Sequence, residues 1–104
     1  LGASNSVEWH YHNSTELCIK ELKQKGFEVI AVEMTTDSTS LEHKIFPKTP
    51  LALIFGNEVM GISKDILSLC DGAVEIPQVG TKHSFNISVS LGIVLWEYFR
   101  QVRL

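Results

Sequence analysis

Short apolar runs alternate along this chain with stretches in which apolar residues recur at helical spacing, and this alternation predicts the elements. Residues 7–11 (VEWHY) are rich in β-formers and predict a short strand. Ser14 precedes a helical stretch over 15–25, in which Leu17, Cys18 and Leu22 share a face. Lys20, Lys23 and Lys25 gather toward its C-terminal end, where the helix dipole favours positive charge, and Gly26 supplies a left-handed stop. Residues 27–34 form a β-branched run that reads as a central strand, followed by a polar stretch over 35–40. Residues 41–50 carry two prolines and little periodicity, which predicts a loop with room for one helical turn. The continuous apolar run 51–55, ended by Gly56, suits a parallel strand covered on both faces. Ser63 caps a short helix to Leu69, and Asp71-Gly72 turns into a strand over 73–76 that Pro77 ends. The last helix opens at Ser84 or Asn86, and Ile87, Leu91, Val94, Leu95, Tyr98 and Val102 mark its apolar face. The sum is an α/β domain with a mainly parallel sheet flanked by helices and no internal repeat.

The 104 residues fit one domain, and 44% apolar with 20% charged residues excludes disordered and low-complexity classes. A net charge of −3 has the wrong sign for gripping a phosphate backbone unaided, so a nucleic-acid role needs local patches or a partner. Cys18 and Cys70 form no CxxC pair, which leaves a disulfide framework or zinc site without support and predicts two buried thiols. No apolar run approaches the ~20 residues of a membrane span, and no basic region with an apolar stretch opens the chain, so a soluble, cytoplasmic protein is expected.

In an open parallel sheet, ligands collect beyond the carboxyl ends of the strands. Three polar or glycine-containing segments follow strands here: 56–61 (GNEVMG), 77–83 (PQVGTKH) and 84–88 (SFNIS). Gly56 and Gly61 allow sharp turns and close main-chain approach, while Asn57 and Glu58 add an amide and a carboxylate. The spacing matches neither a Walker A loop nor a GxGxxG fingerprint, and by itself it fits a plain strand-to-helix turn equally well. Ser84, Asn86 and Ser88 are more polarity than one helix cap requires. His83 reads as either a surface residue or a general base, and His10 with His12 lack a third ligand at metal spacing. Trp96, Tyr98 and Phe99 read as core or interface residues, without the basic interleaving of a base-stacking platform.

Two of these stretches together resemble the SpoU/TrmH family of the SPOUT superfamily, whose members are S-adenosylmethionine-dependent RNA 2′-O-ribose methyltransferases. The family's second motif is similar to LALIFGNEVMGIS (51–63) continued through CDGAVEIP (70–77), and its third to GTKHSFNISVS (80–90) followed by a long helix. The likeness covers the C-terminal half, and the first half is similar in layout only. The resemblance implies a C-terminal trefoil knot, which general topology rules would argue against. It also implies a methyl donor, S-adenosylmethionine, held largely by main-chain groups around Phe55, Gly56, Asn57, Glu58, Gly61, Ile76, Ser84, Asn86 and Ile87. Ser84 and Asn86 become the candidate catalytic residues, orienting the ribose or its phosphate, with Glu58 organising the loop.

The reaction implied is methyl transfer to a ribose 2′-hydroxyl of tRNA or rRNA, without a metal. The family attributes help with the hydroxyl proton to an arginine in a first motif, whereas the only arginines here are Arg100 and Arg103. The expectation is a chain that begins just past that motif, as Leu1-Gly-Ala resembles the segment that follows it. The alternatives are a non-catalytic cofactor- or RNA-binding dimerisation module, or an unrelated nucleotide-binding α/β fold. Family members are typically dimers through the last helix, and Leu95, Trp96, Tyr98 and Phe99 load more than one face of that helix here.

Overall fold

The computed structural model describes residues 14–57, 60–77 and 86–103. In chain order these form α1 (Thr15–Gln24), β1 (Glu28–Val32), β2 (Thr39–Ser40), a 3-10 turn (Leu41–His43), β3 (Leu51–Phe55), α2 (Lys64–Leu69), β4 (Gly72–Glu75) and α3 (Ile87–Arg103). The strand expected at 7–11, with His10 and His12, lies outside the described residues.

The four strands make one parallel sheet in the order β2-β4-β1-β3. β1 is central, as its β-branched run predicts: Ile30 stands opposite Leu53 of β3 and Gly72 of β4. Every residue of β3 is half-buried. Among the described residues this strand pairs on one side only, which leaves it less covered than a continuous apolar run suggests. β2 arises in the polar 35–40 stretch, where neither length nor alternation announces a strand; its pairing with β4 exists only in the assembled sheet.

Side chains alternate across β1, so Ile30 faces one layer and Val29 with Ala31 the other. On the first face Ile30 joins Val74, Val94 of α3, Leu41 and Phe46 in the core, each apolar side chain there contributing about 1.5–3 kcal/mol. Leu41 and Phe46 come from the aperiodic 41–50 segment. That loop is held to α3 by Gln101, whose Oε1 accepts the Phe46 N–H at 2.8 Å while Nε2 donates to the Lys44 carbonyl at 2.8 Å. Tyr98 meets the Phe46 ring edge-on at 5.6 Å.

On the opposite face α1 packs against β1 and α2. Ser14 caps α1 by accepting the Leu17 N–H, and Gly26 follows the helix at φ +89°, as predicted. The inward residue of α1 is Ile19, fully buried, while Leu17 is 62% exposed. Two positions along a helix turn through roughly 200°, so burying Ile19 turns Leu17 to solvent and breaks up the Leu17-Cys18-Leu22 face expected from the sequence. Ser63 caps α2 by accepting the Ile66 N–H. Cys18 and Cys70 are half-buried where full burial was expected, and burial still pushes both thiols above their ordinary value.

A parallel sheet with α1 and α2 on one face and α3 on the other is consistent with the SPOUT-type knotted α/β fold. Residues 78–85, which lead into α3 and through which such a knot would be tied, lie outside the described residues.

Candidate functional site

The carboxyl edge of the sheet brings three segments side by side. β3 delivers Phe55 and Gly56, β4 delivers Ile76 and Pro77, and β1 between them delivers Glu33. Register sets their height: Val32 pairs with both Phe55 and Val74, and the Glu33 N–H donates to the Val74 carbonyl at 3.0 Å.

Beyond β3 the chain doubles back at once. Asn57 and Gly61 form an antiparallel bridge, with the Gly61 N–H donating to the Asn57 carbonyl at 2.8 Å. Asn57 also works through its side chain, Oδ1 accepting the Met60 N–H at 3.2 Å. A Cβ on Gly56 would fall 2.6 Å from the Ile62 nitrogen and 2.7 Å from the Gly61 oxygen, distances no side chain tolerates. Gly61 has φ +70°, and a Cβ there would run into the Glu33 carboxylate. Glu33 Oε2 in turn accepts the Ile62 N–H at 2.9 Å. Gly56 is therefore required by close main-chain packing, and Gly61 by its positive φ and the Glu33 carboxylate beside it, in a turn at the carboxyl edge of the sheet. Glu58 lies outside the described residues.

Glu33 is the residue that the sequence reading missed. Its signal was an acidic residue directly closing a buried apolar strand, at the level where β3 ends in glycine. On the other side of β1, the Ser38 hydroxyl lies 2.8 Å from both Glu75 Oε1 and the Thr35 carbonyl, joining β4 to the turn before β2. A groove of about 230 Å³, lined in part by Leu41, Ile76, Pro77, Ile93 and Trp96, opens beside Ile76.

Of the two residues proposed to open α3, Asn86 does so. Its carbonyl accepts the Ser90 N–H at 2.9 Å and its Oδ1 the Ser88 N–H at 2.8 Å, the geometry of a helix cap. Ile87 is the first helical residue. Ser84 and His83 lie outside the described residues, as does the path from Pro77 to Asn86. The structure thus unites Phe55, Gly56, Asn57, Gly61 and Ile76 at one edge, and sets Asn86 and Ile87 at the head of α3.

Both arginines sit near the other end of α3. Arg100 forks onto Glu97, with Nε 3.1 Å from Oε1 and Nη2 2.7 Å from Oε2, and hydrogen bonds from Arg100 and Gln101 pull the Glu97 carboxyl down to about 2. The Arg103 guanidinium lies 5.4 Å from the centre of the Phe99 ring, and Phe99 stacks on Trp96. Among the described residues, no group of three or more His, Cys, Asp or Glu is placed to hold a metal ion, and no helix is long and apolar enough to cross a membrane.

Comparison with known proteins agrees with this architecture. The family described as SpoU rRNA Methylase matches residues 1–96. A tRNA (guanosine(18)-2′-O)-methyltransferase of Thermus thermophilus is 34% identical over 102 residues, covering 95% of this chain and 52% of the relative, so the chain spans about half that protein's length. The crystal structure of the Aquifex aeolicus TrmH/SpoU tRNA modifying enzyme superposes with a TM-score of 0.76 at 31% identity, over 86% of this chain and 45% of the other. That of the SpoU methyltransferase AviRb from Streptomyces viridochromogenes, in complex with the cofactor AdoMet, superposes with a TM-score of 0.67 at 25% identity, over 82% of this chain and 34% of the other. The family match over nearly the whole chain, together with a glycine-built loop at the carboxyl edge of a parallel sheet, establishes that this chain belongs to the SpoU methylase family.

Proposed function

We propose that the protein transfers a methyl group from S-adenosylmethionine to a ribose 2′-hydroxyl of RNA, with tRNA as the substrate. The observation that carries this reading is the Gly56–Ile62 turn, in which a Cβ on Gly56 would strike the main chain and Gly61 takes a positive φ. Such a turn suits a ligand recognised by peptide groups. The Thermus relative's name supports tRNA, and the AdoMet complex of the Streptomyces relative supports the donor.

Main-chain groups of Phe55, Gly56, Asn57, Gly61 and Ile76 would hold the donor, with Asn86 and Ile87 at the start of α3. Glu58 and Ser84 complete the set that the family resemblance implies. When bound, S-adenosylmethionine supplies a methyl group on a sulfonium, a good leaving group that calls for no metal. The chain supplies position: the two hydrogen bonds that Asn57 accepts, at its carbonyl and at Oδ1, close the turn, and the carboxyl ends of β3 and β4 fix its distance from the segment after Glu75. The positive end of the α3 dipole favours an electron-rich oxygen of ribose or phosphate near Asn86.

A second reading is favoured by a specific observation. Arg100 is bound to Glu97, and it lies roughly 20 Å along α3 from Ile87. Within one protomer the arginines therefore stand away from the head of α3, as a non-catalytic module would have it. Mapping 2′-O-methyl groups in tRNA and rRNA from cells with and without the gene, beside calorimetric titration with S-adenosylmethionine, separates the readings. Methyl transfer requires a tRNA ribose to lose its modification when the gene is removed. An unchanged map with donor binding intact leaves the cofactor-binding module, and no heat of binding removes methyl transfer.

The same proposal includes a homodimer through α3, working in the cytoplasm. Trp96 and Phe99 are 60% and 43% exposed and stack at 6.3 Å, an apolar surface on a helix whose other face is already in the core. Sedimentation of the wild type and of Trp96→Glu tests it: a dimer that becomes a monomer is expected, and a monomeric wild type excludes the interface.

A further inference from the structure

We infer that Glu33 is a positioning residue for methyl-donor binding, acting as the hydrogen-bond acceptor that holds the Gly56–Ile62 loop in its binding conformation. The inference rests on the methyl-transfer reading above and adds a residue from outside both motifs that carry the family resemblance.

The geometry is specific on three counts. Glu33 Oε2 accepts the Ile62 N–H at 2.9 Å, a bond between elements 29 residues apart in sequence. The same oxygen occupies the space that a side chain on Gly61 would take, so carboxylate and glycine fit each other. Gly61 and Ile62 are in turn the main-chain groups against which Gly56 packs without room for a Cβ. A continuous chain of contacts thus runs from the end of the central strand, through one carboxylate, to the peptide groups after β3. Within the loop the Gly61 and Met60 N–H groups both donate to Asn57. Glu33 adds a tie to β1, from the middle of the sheet, where β1 has ladder partners on both sides.

The bond is a peptide N–H donating to a side-chain oxygen at ordinary hydrogen-bond length. It draws on the rigidity of the sheet to hold a segment that has little apolar burial of its own: Met60 is exposed, and Gly61 and Ile62 are half-buried. What the loop needs is an oxygen at the right reach, and the formal charge is secondary. Glu33→Gln keeps an oxygen at that reach without the charge. Glu33→Asp keeps the charge and withdraws it by one methylene. Glu33→Ala loses both.

The test measures S-adenosylmethionine affinity by calorimetry, steady-state KM and kcat, and hydrogen exchange of the Ile62 amide for wild type and the three variants. Glu33→Ala and Glu33→Asp should each weaken donor binding by about tenfold, the scale of a lost hydrogen bond. The change should appear in KM with kcat little altered, and the Ile62 amide should exchange faster in the free protein. Glu33→Gln should restore all three. Glu33→Asp matching wild type while Glu33→Gln matches Glu33→Ala would overturn the inference by making charge the relevant property. So would faster Ile62 exchange with unchanged donor affinity. Failure of the wild type itself to bind the donor, with the exchange pattern as expected, would instead remove the methyl-transfer reading and the inference with it. Should Glu33→Ala fail to fold, the opposed behaviour of the Gln and Asp variants decides alone.

Discussion

Two carboxylates stand at opposite ends of β1, and each accepts a peptide N–H from a neighbouring segment. At the amino end, Asp71 Oδ2 takes the Val29 N–H at 2.8 Å and the Asp71 N–H returns to the Val29 carbonyl at 2.7 Å. Lys23 lies 3.5 Å from Asp71 and donates to the Leu69 carbonyl at 3.0 Å, so the ends of α1 and α2 meet at the same point as β1 and β4. At the carboxyl end, Glu33 takes the Ile62 N–H in the turn after β3, where the Gly61 N–H donates to the Asn57 carbonyl. The same chemical group therefore fastens four elements in one place and a single turn in the other. A bond shared among elements holds the fold, and its loss is felt everywhere. A bond to one glycine-built turn sets local geometry, and its loss is felt by whatever that turn binds.

The sharpest way to break this contrast is Gly56→Ala. The added methyl meets the main chain of Gly61 and Ile62, which cannot yield as a flexible side chain would. Overpacking of this kind costs about 1–3 kcal/mol, and most of it should appear as reshaping of the loop, lowering donor affinity by about ten- to a hundredfold while thermal unfolding shifts only modestly. A large drop in melting temperature with intact donor binding would reverse the assignment of the two ends.

Asp71→Ala is the converse. It strands the Val29 N–H and releases Lys23, with an expected loss of about 1–3 kcal/mol measured by denaturant unfolding. Donor affinity of the protein that remains folded should be unchanged. Intermediate in expected effect is Asn86, at the head of α3. Asn86→Ala should cost about 1 kcal/mol as a lost cap, and Asn86→Asp, also a good cap, should restore the stability. If the Asp variant is stable yet still loses methyl transfer, Asn86 does more than cap.

The smallest effect belongs to Glu97, in the second half of α3. A carboxyl held below its ordinary value adds stability above that value and loses it as pH falls; for Glu97, at about 2 against an ordinary 4.5, the window lies between those two. Its partner Arg100 is exposed, so Glu97→Gln should flatten the acid limb of a stability-pH profile only slightly. Added salt should shrink the difference further, and donor affinity should be unaffected.

How far the sequence reached follows from what each residue's role depends on. Elements set by local rules were legible: the Ser14 and Ser63 caps, the Gly26 stop, the central place of β1 and the long apolar stripe of α3. Gly56 and Gly61 were legible as turn residues, and as a site only through the family resemblance. β2 was not legible, because two residues carry no period and β4 alone makes them a strand. Nor was the burial of Leu41 and Phe46, which depends on Gln101 reaching back from α3. Leu17 was misread because helical spacing gives the existence of a face but not which one the sheet will cover.

The sequence by itself determined where strands and helices lie, which residues cap them, and that two motifs of a methyltransferase family follow in order. Those features are written in neighbouring residues, through periodicity, side-chain capping and glycine's access to positive φ. Only the tertiary structure decided that β1 runs between β3 and β4, and therefore that Glu33 stands beside Gly61 and Asp71 beside Val29. Strand order brings together residues whose separation along the chain says nothing of their distance, and at both ends of this sheet the deciding contact is of that kind.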